Sequence, residues 1–531
     1  MFPVPELNFG FNDAQNYRRR ENKEFFNRIF IRTDSLEKLC GHNVFFLVGE
    51  KGTGKTAYAV YISNNSYREN SGTIKDIRET EYRKFITLKE ENHLQLSDYT
   101  NIWKVIIYLL ISQQIKEKES NNFVDKFIKF RNLQRAIDEF YSYAFSPEII
   151  YAINFVEDSK IAAELIAQYS LMDGQIGGEK RKSISFEEKR FQIRLLYIQN
   201  KFEEALRSLK LTKNHILFID GVDIRASSVS YEEYLECVKG LANAVWAVNN
   251  DFFASIKDTK GRLRVVLLVR PDIFESLGLQ NQNNKLRDNS VLLDWRTKYT
   301  DYRTSQIFEI ADNLLKFQQD DRLEVGDSWD YYFPYDTPNV KSKQEKYSSF
   351  IYFLRYSLYR PRDIITMLNI LQENFTIKGK KTDEVFSIDD FEDPDFKDKL
   401  SNYFLGEIKD QLSFYYSKDE YEHFLKFFEF LKGKHKFPYD QYLRAYSNFC
   451  EYLSDNNYKK PSFCESADTF LQFLYDLNII CYKDETYNED FMRWCFRERN
   501  YANISPKVKK DSEYIIHYGM RKALNLGKVI F

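Results

Sequence analysis

The stretch from residue 44 to 62 constrains this chain more than any other. Val44-Phe45-Phe46-Leu47-Val48 is a short apolar run rich in β-formers, and it leads straight into Gly49-Glu50-Lys51-Gly52-Thr53-Gly54-Lys55-Thr56. Ala57-Tyr58-Ala59-Val60-Tyr61-Ile62 then reads as a helix. This is G-x-x-x-x-G-K-T in the strand, loop and helix setting it requires. Glycines let the backbone wrap closely round a phosphate, and consecutive N–H groups with the helix start bind the anion. Lys55 brings a point charge to the outer phosphates, and the Thr56 hydroxyl is placed to meet Mg²⁺. Gly49 to Ala57 are therefore expected to hold ATP.

A loop of this kind works with an acid at the tip of another buried strand, and Ile216-Leu217-Phe218-Ile219-Asp220 has that form. Asp220 is the expected Mg²⁺ residue. Asp223, three positions on, is a candidate general base for the attacking water. Arg264-Val265-Val266-Leu267-Leu268-Val269 is a further apolar strand pattern ending in Arg270-Pro271-Asp272. Its guanidinium belongs at the carboxyl edge of a sheet, where a γ-phosphate sensor would project; an ion pair with Asp272 or Asp223 is the structural alternative, and the two are compatible. Arg287 lies in a polar stretch ahead of another strand-like run, Val291-Leu292-Leu293-Asp294-Trp295. Tyr359-Arg360-Pro361-Arg362-Asp363 opens a helix with Pro in its first turn, so Arg362 either faces a bound phosphate or is an exposed helix-start arginine.

Taken in order, GEKGTGKT, ILFIDGVD, VVLLVRPD and RPRDI resemble the motifs of the additional-strand P-loop NTPases, the broad AAA+ and STAND group. DGVD is similar to the DGLD-type Walker B of STAND and NACHT ATPases. The resemblance implies that Lys55 and Thr56 take the Walker A roles, Asp220 the Walker B role, Arg270 sensor 1 and Arg362 sensor 2, with Arg287 where AAA+ proteins carry a trans-acting finger. Together with NSVLLDW and the C-terminal Ile515-Ile516-His517-Tyr518-Gly519-Met520-Arg521-Lys522-Ala523-Leu524, these motifs resemble a poorly characterised family of bacterial P-loop ATPases, some of them found among phage-defence genes. Two positions depart from the pattern: Asp223 stands where AAA+ proteins usually have Glu, and Ile224 where many NACHT proteins have another acid. The shorter carboxylate bears on hydrolysis rate rather than on binding.

Composition narrows the remaining classes. With 77 basic and 79 acidic side chains the net charge is −2, so no global field points to nucleic acid or acidic lipid. The six cysteines are never in C-x-x-C spacing, and the six histidines form no H-E-x-x-H, which argues against a disulfide framework and a protein-held transition metal. Mg²⁺ arriving with ATP is the one metal expected. No apolar run approaches the ~20 residues that span a bilayer, and residues 1–20 lack a signal-like apolar core, so a cytoplasmic location without membrane contact is expected. Only 19 glycines and 11 prolines in 531 residues imply few turns and many helices.

The expected fold is a helix-rich α/β P-loop NTPase core with a parallel sheet over residues 1–319, a connector and helical lid over 320–409, and a winged-helix-like domain over 410–531. About 150 residues separate the Walker A helix from the Walker B strand, more than a βαβ unit needs, so a helical insertion is expected at about 115–210. Tyr82–Leu88 can supply an intervening strand, and Met172–Ser185, with three glycines and three basic residues, reads as a linker loop rather than a phosphate grip. Helical runs at Tyr421–Leu431, Pro438–Leu453 and Ala467–Leu477 precede strand-like Asn478–Tyr482 and Phe491–Phe496, the order of a winged helix. Residues 491–531 hold nine basic against three acidic side chains, a local net of +6, with Arg493, Arg497 and Arg499 expected on the second wing strand. That segment either meets DNA phosphates or packs on the ATPase core as an interaction module.

Two functions fit this reading. One is an ATP-hydrolysing switch that engages a partner in a single nucleotide state, the expected partners being another copy of the chain, a co-encoded effector protein, or DNA. The other is a nucleotide-gated DNA-binding module with little or no hydrolysis.

Overall fold

In the computed structural model the residues described are 1–77, 96–119, 131–143, 188–223, 225, 231–257, 259–319, 322–338, 346–381, 385–485 and 490–527. The chain is a helix-rich α/β protein that divides into two compact units. One, the sheet unit, comprises Asp34–Glu50 and Lys55–Leu293; the other, the helical unit, comprises Met1–Thr33, Lys51–Gly54 and Asp294–Phe531.

The sheet unit is built on β1 (Phe46–Val48), β2 (Asn70–Asp76), β3 (Asn214–Asp220), β4 (Leu263–Val269) and β5 (Ser290–Leu292). All pair in parallel, in the order β2-β3-β4-β1-β5. Phe46, Leu47 and Val48 are fully buried, as are Val265–Val269 of β4, which is why both stretches read as unbroken apolar runs: a parallel sheet is covered on both faces. Register aligns the strand ends that matter, with Val48 opposite Val269 and Leu292, and Asp220 opposite Asp76.

β1 continues into the helix Lys55–Asn65, which packs on β2. Leu96–Glu119 is a 24-residue helix whose residues from Val105 to Ile111 are all buried; it packs against the helices Tyr231–Ala247 and Glu188–Arg207. Helices Arg131–Tyr143 and Glu188–Arg207 pack on one another within the long excursion between β2 and β3. Tyr82–Leu88 and Met172–Ser185 fall outside the described residues. The strand beside β3 is Asn70–Asp76, a polar segment that the apolar-run criterion passes over.

In the helical unit, Pro361–Ile377 packs on Pro394–Ser413 and on the N-terminal turn Val4–Glu6. A two-stranded antiparallel ribbon joins β6 (Asp336–Pro338) to β7 (Lys346–Ser348). Farther along come the helix Lys418–Phe427, β8 (Lys436–Pro438), and the helices Tyr439–Asp455 and Ala467–Asp476. The hairpin of β9 (Ile480–Glu485) and β10 (Asp490–Arg493) follows, and β11 (Glu513–Ile516) closes an antiparallel sheet ordered β10-β9-β11-β8. One expectation is corrected: the second hairpin strand stops at Arg493, and Cys495–Glu498 is a helical turn. Trp494 turns the chain because it is buried in a small core with Ile515 and Cys481, against which Phe496 packs. Arg497 and Arg499 are consequently not on a wing strand. Among the described residues no helix is long and apolar enough to cross a membrane.

Candidate functional site

The sheet unit gathers the loop's two ends and the acids at one sheet edge. Gly49 N–H donates to the Val269 carbonyl at 3.2 Å, so the loop begins where β4 ends. Lys55 starts the following helix and is 8% exposed; its ammonium donates to the carbonyls of Gly49 at 2.9 Å and Glu50 at 3.3 Å. The Thr56 hydroxyl donates to Asp220 Oδ2 at 2.6 Å, although β1 and β3 are not neighbours in the sheet and 164 residues separate the pair.

Asp220 is buried, and its other oxygen accepts the Gly221 N–H at 2.8 Å. Burial, and then the nearby Asp223 carboxylate, push its carboxyl up from the ordinary 3.8 to about 6, against the Thr56 hydrogen bond and the Lys55 charge. Gly221 has φ +86°, and an added Cβ would run into the Ile77 carbonyl oxygen, so the turn carrying Asp220 to Asp223 is tied to the end of β2. A desolvated carboxylate beside a hydroxyl fits a hard cation. Among the described residues no group of three or more His, Cys, Asp or Glu side chains forms an all-protein cage.

This raised value sets the sign of a pH effect. A carboxyl whose folded pKa exceeds its unfolded one favours the folded state most below both values, and that contribution is lost as pH rises from 3.8 through about 6. Asp220→Asn, which carries no charge to bury, is expected to stabilise the metal-free chain at about pH 8 by on the order of 2 kcal/mol, with the gain vanishing below about pH 4. Urea unfolding across that range measures it; a variant less stable than the parent at about pH 8 contradicts the assignment.

Arg270, at the end of β4, is 3% exposed and grips Asp272 with two hydrogen bonds, Nε to Oδ1 at 3.1 Å and Nη2 to Oδ2 at 2.7 Å. The ion-pair alternative is thus present in the structure, and it fixes the guanidinium at the edge of the sheet. Arg287 lies in the last turn of the helix Gln282–Asn289, between β4 and β5, and is exposed.

The four loop residues Lys51–Gly54 belong to the helical unit, which holds them at several points. Gly52 and Gly54 have φ of +85° and +95°, a region open to glycine. A Cβ on Gly52 would lie 3.2 Å from Arg362 Cβ. The buried Trp295 indole donates to the Thr53 carbonyl at 2.9 Å. Arg360 donates through Nη1 to the Lys51 carbonyl at 2.9 Å, and its Nε and Nη2 fork onto Asp363 at 3.0 and 2.6 Å. Asp363 is fully buried and also accepts Leu358 N–H at 2.8 Å and the Tyr403 hydroxyl at 2.9 Å.

Arg362, the residue singled out from sequence, instead directs Nε to the Asn12 carbonyl at 3.1 Å and Nη1 toward Glu407 at 3.5 Å. Arg360, Asp363, Glu407 and Trp295 were not foreseen as site residues. The available signal was the pair Arg360 and Asp363 flanking Pro361, since an i, i+3 ion pair at a helix start suits burial.

The C-terminal cations are largely engaged within the helical unit. Arg493 faces Asp484 at 3.5 Å and Glu498 at 3.3 Å, Lys509 meets Asp484 at 2.8 Å, and Lys510 meets Asp468 at 2.5 Å. Arg497 lies 4.6 Å from the Tyr359 ring and bonds its hydroxyl, while Arg521 lies 4.1 Å from the Tyr518 ring. Part of the local excess of +6 in sequence is thus met by Asp484 and Asp468, which lie outside the segment. No protein family matches this sequence, and no curated protein is detectably similar to it.

Proposed function

We propose that this protein binds ATP and hydrolyses it with Mg²⁺, using the nucleotide state as a switch for engaging a partner. The observation that carries the reading is the Thr56 to Asp220 hydrogen bond at 2.6 Å, next to Lys55 at the end of the glycine-bearing loop. The strand order supports it, because β4 lies between the strand leading into the loop and the strand ending in Asp220, as expected of additional-strand P-loop NTPases. The helix, strand, helix, helix and hairpin order of residues 418–493 supports a winged-helix-like domain extended by β11.

In this reading the backbone of Gly49–Gly54 surrounds the phosphates, Lys55 exchanges its two carbonyl partners for phosphate oxygens, and Thr56 and Asp220 hold the cation. Mg²⁺ would neutralise charge developing on the transferred phosphoryl group. Asp223, next to Asp220 and less buried, orients and deprotonates the attacking water. Arg270, anchored by Asp272, supplies fixed positive charge at the sheet edge. Arg287, on an exposed helix, is available to a second copy of the chain. Pairing of the C-terminal cations favours a protein partner, such as a co-encoded effector, over DNA. A cytoplasmic setting and a role in phage defence belong to the same proposal and rest on the motif resemblance.

Asp223→Asn tests the assignment of roles: ATP binding should persist while phosphate release falls by about 10²-fold or more. Salt-sensitive DNA binding that requires ATP and survives the substitution, with little turnover in the parent chain, would instead favour the nucleotide-gated DNA-binding module.

A further inference from the structure

Glu407, on the helix Pro394–Ser413, stands among three cations. Its oxygens lie 3.2 Å from Lys51 Nζ, 3.5 Å from Arg362 Nη1 and 3.6 Å from Arg360 Nη1, and its side chain is 14% exposed. Burial raises its carboxyl, yet the Arg360, Lys51 and Arg362 charges more than offset this and hold it below the ordinary glutamate range, so it is an anion at neutral pH.

The three cations are not equally committed. Arg360 is nearly buried, forks onto Asp363 and caps the Lys51 carbonyl, so its place is fixed without Glu407. Arg362 has one carbonyl partner and a 3.5 Å contact with Glu407, long for a charge-assisted hydrogen bond. Among the described residues the side-chain partners of Lys51 are carboxylates, Glu407 at 3.2 Å and the exposed Asp410 at 2.6 Å. Lys51 and Arg362 can therefore change partners at small cost. Lys51 is part of the loop itself, and Arg362 packs against Gly52.

We propose that Glu407 is an internal anion that occupies Lys51 and Arg362 and is exchanged for nucleotide phosphate when the loop is loaded. The inference rests on reading Gly49–Thr56 as a nucleotide loop. It assigns Glu407 a regulatory role: the carboxylate raises the concentration of nucleotide needed to fill the site, and loading frees the helix Pro394–Ser413 from the loop's ammonium. Neutralising the carboxylate leaves its shape nearly intact and lets both cations turn fully to phosphate.

The test is titration of a fluorescent ATP analogue, with Mg²⁺, into the full chain and its variants. Glu407→Gln is expected to tighten binding by about threefold to tenfold. Asp410→Asn, at an exposed position that should tolerate the change, is expected to tighten it less. Lys51→Ala combined with Glu407→Gln should cancel most of the gain. Affinity that is unchanged or weakened in both Glu407→Gln and Asp410→Asn overturns the exchange while leaving the nucleotide reading intact. Failure of the parent chain to bind, with no dependence on Lys55, overturns both.

Discussion

Lys55→Ala is expected to reduce nucleotide affinity and turnover together, with kcat/KM falling by about 10²- to 10³-fold. The ammonium is almost buried and bonds the Gly49 and Glu50 carbonyls, so it is already positioned at the loop and need only change acceptors when phosphate arrives. Such a charge costs little reorganisation at the moment of reaction, which is what makes a preset donor effective. Alanine removes the charge and leaves two carbonyls to find water. Phosphate release at varied ATP gives the ratio. An unchanged kcat/KM would mean that the loop is not where nucleotide is processed.

The second large effect is on stability. Arg360→Met is expected to lower the unfolding free energy by about 3–5 kcal/mol, because it strands the fully buried Asp363 without its cation and releases the Lys51 carbonyl. Arg362→Met, two residues along the same helix start, removes only a carbonyl bond and a long carboxylate contact, and should cost about 1 kcal/mol. Denaturant unfolding of the two variants side by side measures the contrast. Equal losses would show that the Arg360 and Asp363 pair does not anchor the loop tip.

The contrast between those two arginines marks what sequence makes legible here. Apolar runs with a forced acid or glycine at their ends are readable, so β1, β3 and β4, the loop and Asp220 follow from residue type alone. β2 is not readable, because Asn70-Ser71-Gly72-Thr73 is a strand for reasons of contact. Gln114 bonds the Ser71 carbonyl at 2.7 Å, Asn70 caps the Tyr67 carbonyl at 3.0 Å, and a Cβ at Gly72 would lie 2.6 Å from Ser63 Oγ. Close approach to the helix Lys55–Asn65 selects small and polar residues where a propensity count expects branched ones.

Arg360-Pro361-Arg362 offers two equivalent charges to a sequence reading. Conformation decides between them, since Arg360 is the extended residue before Pro361 and points inward to Asp363, whereas Arg362 lies in the helical first turn. The +6 excess of residues 491–531 misleads for a related reason: charge counted along a segment omits the acids at 468 and 484 that fold against it. Glu407 has no sequence signal at all, being one glutamate among many until three cations from distant segments surround it.

The most direct test of the central claim is Mg²⁺-dependent phosphate release from ATP by the full chain, beside Thr56→Ala, over a range of protein concentrations. The account predicts turnover that chelation of Mg²⁺ abolishes and that Thr56→Ala nearly eliminates, with specific activity rising with concentration if Arg287 acts on a second copy. Release of phosphate that is indifferent to Mg²⁺ and to Thr56, or ATP binding with no turnover at any concentration, would contradict a hydrolytic site built on Lys55, Thr56 and Asp220.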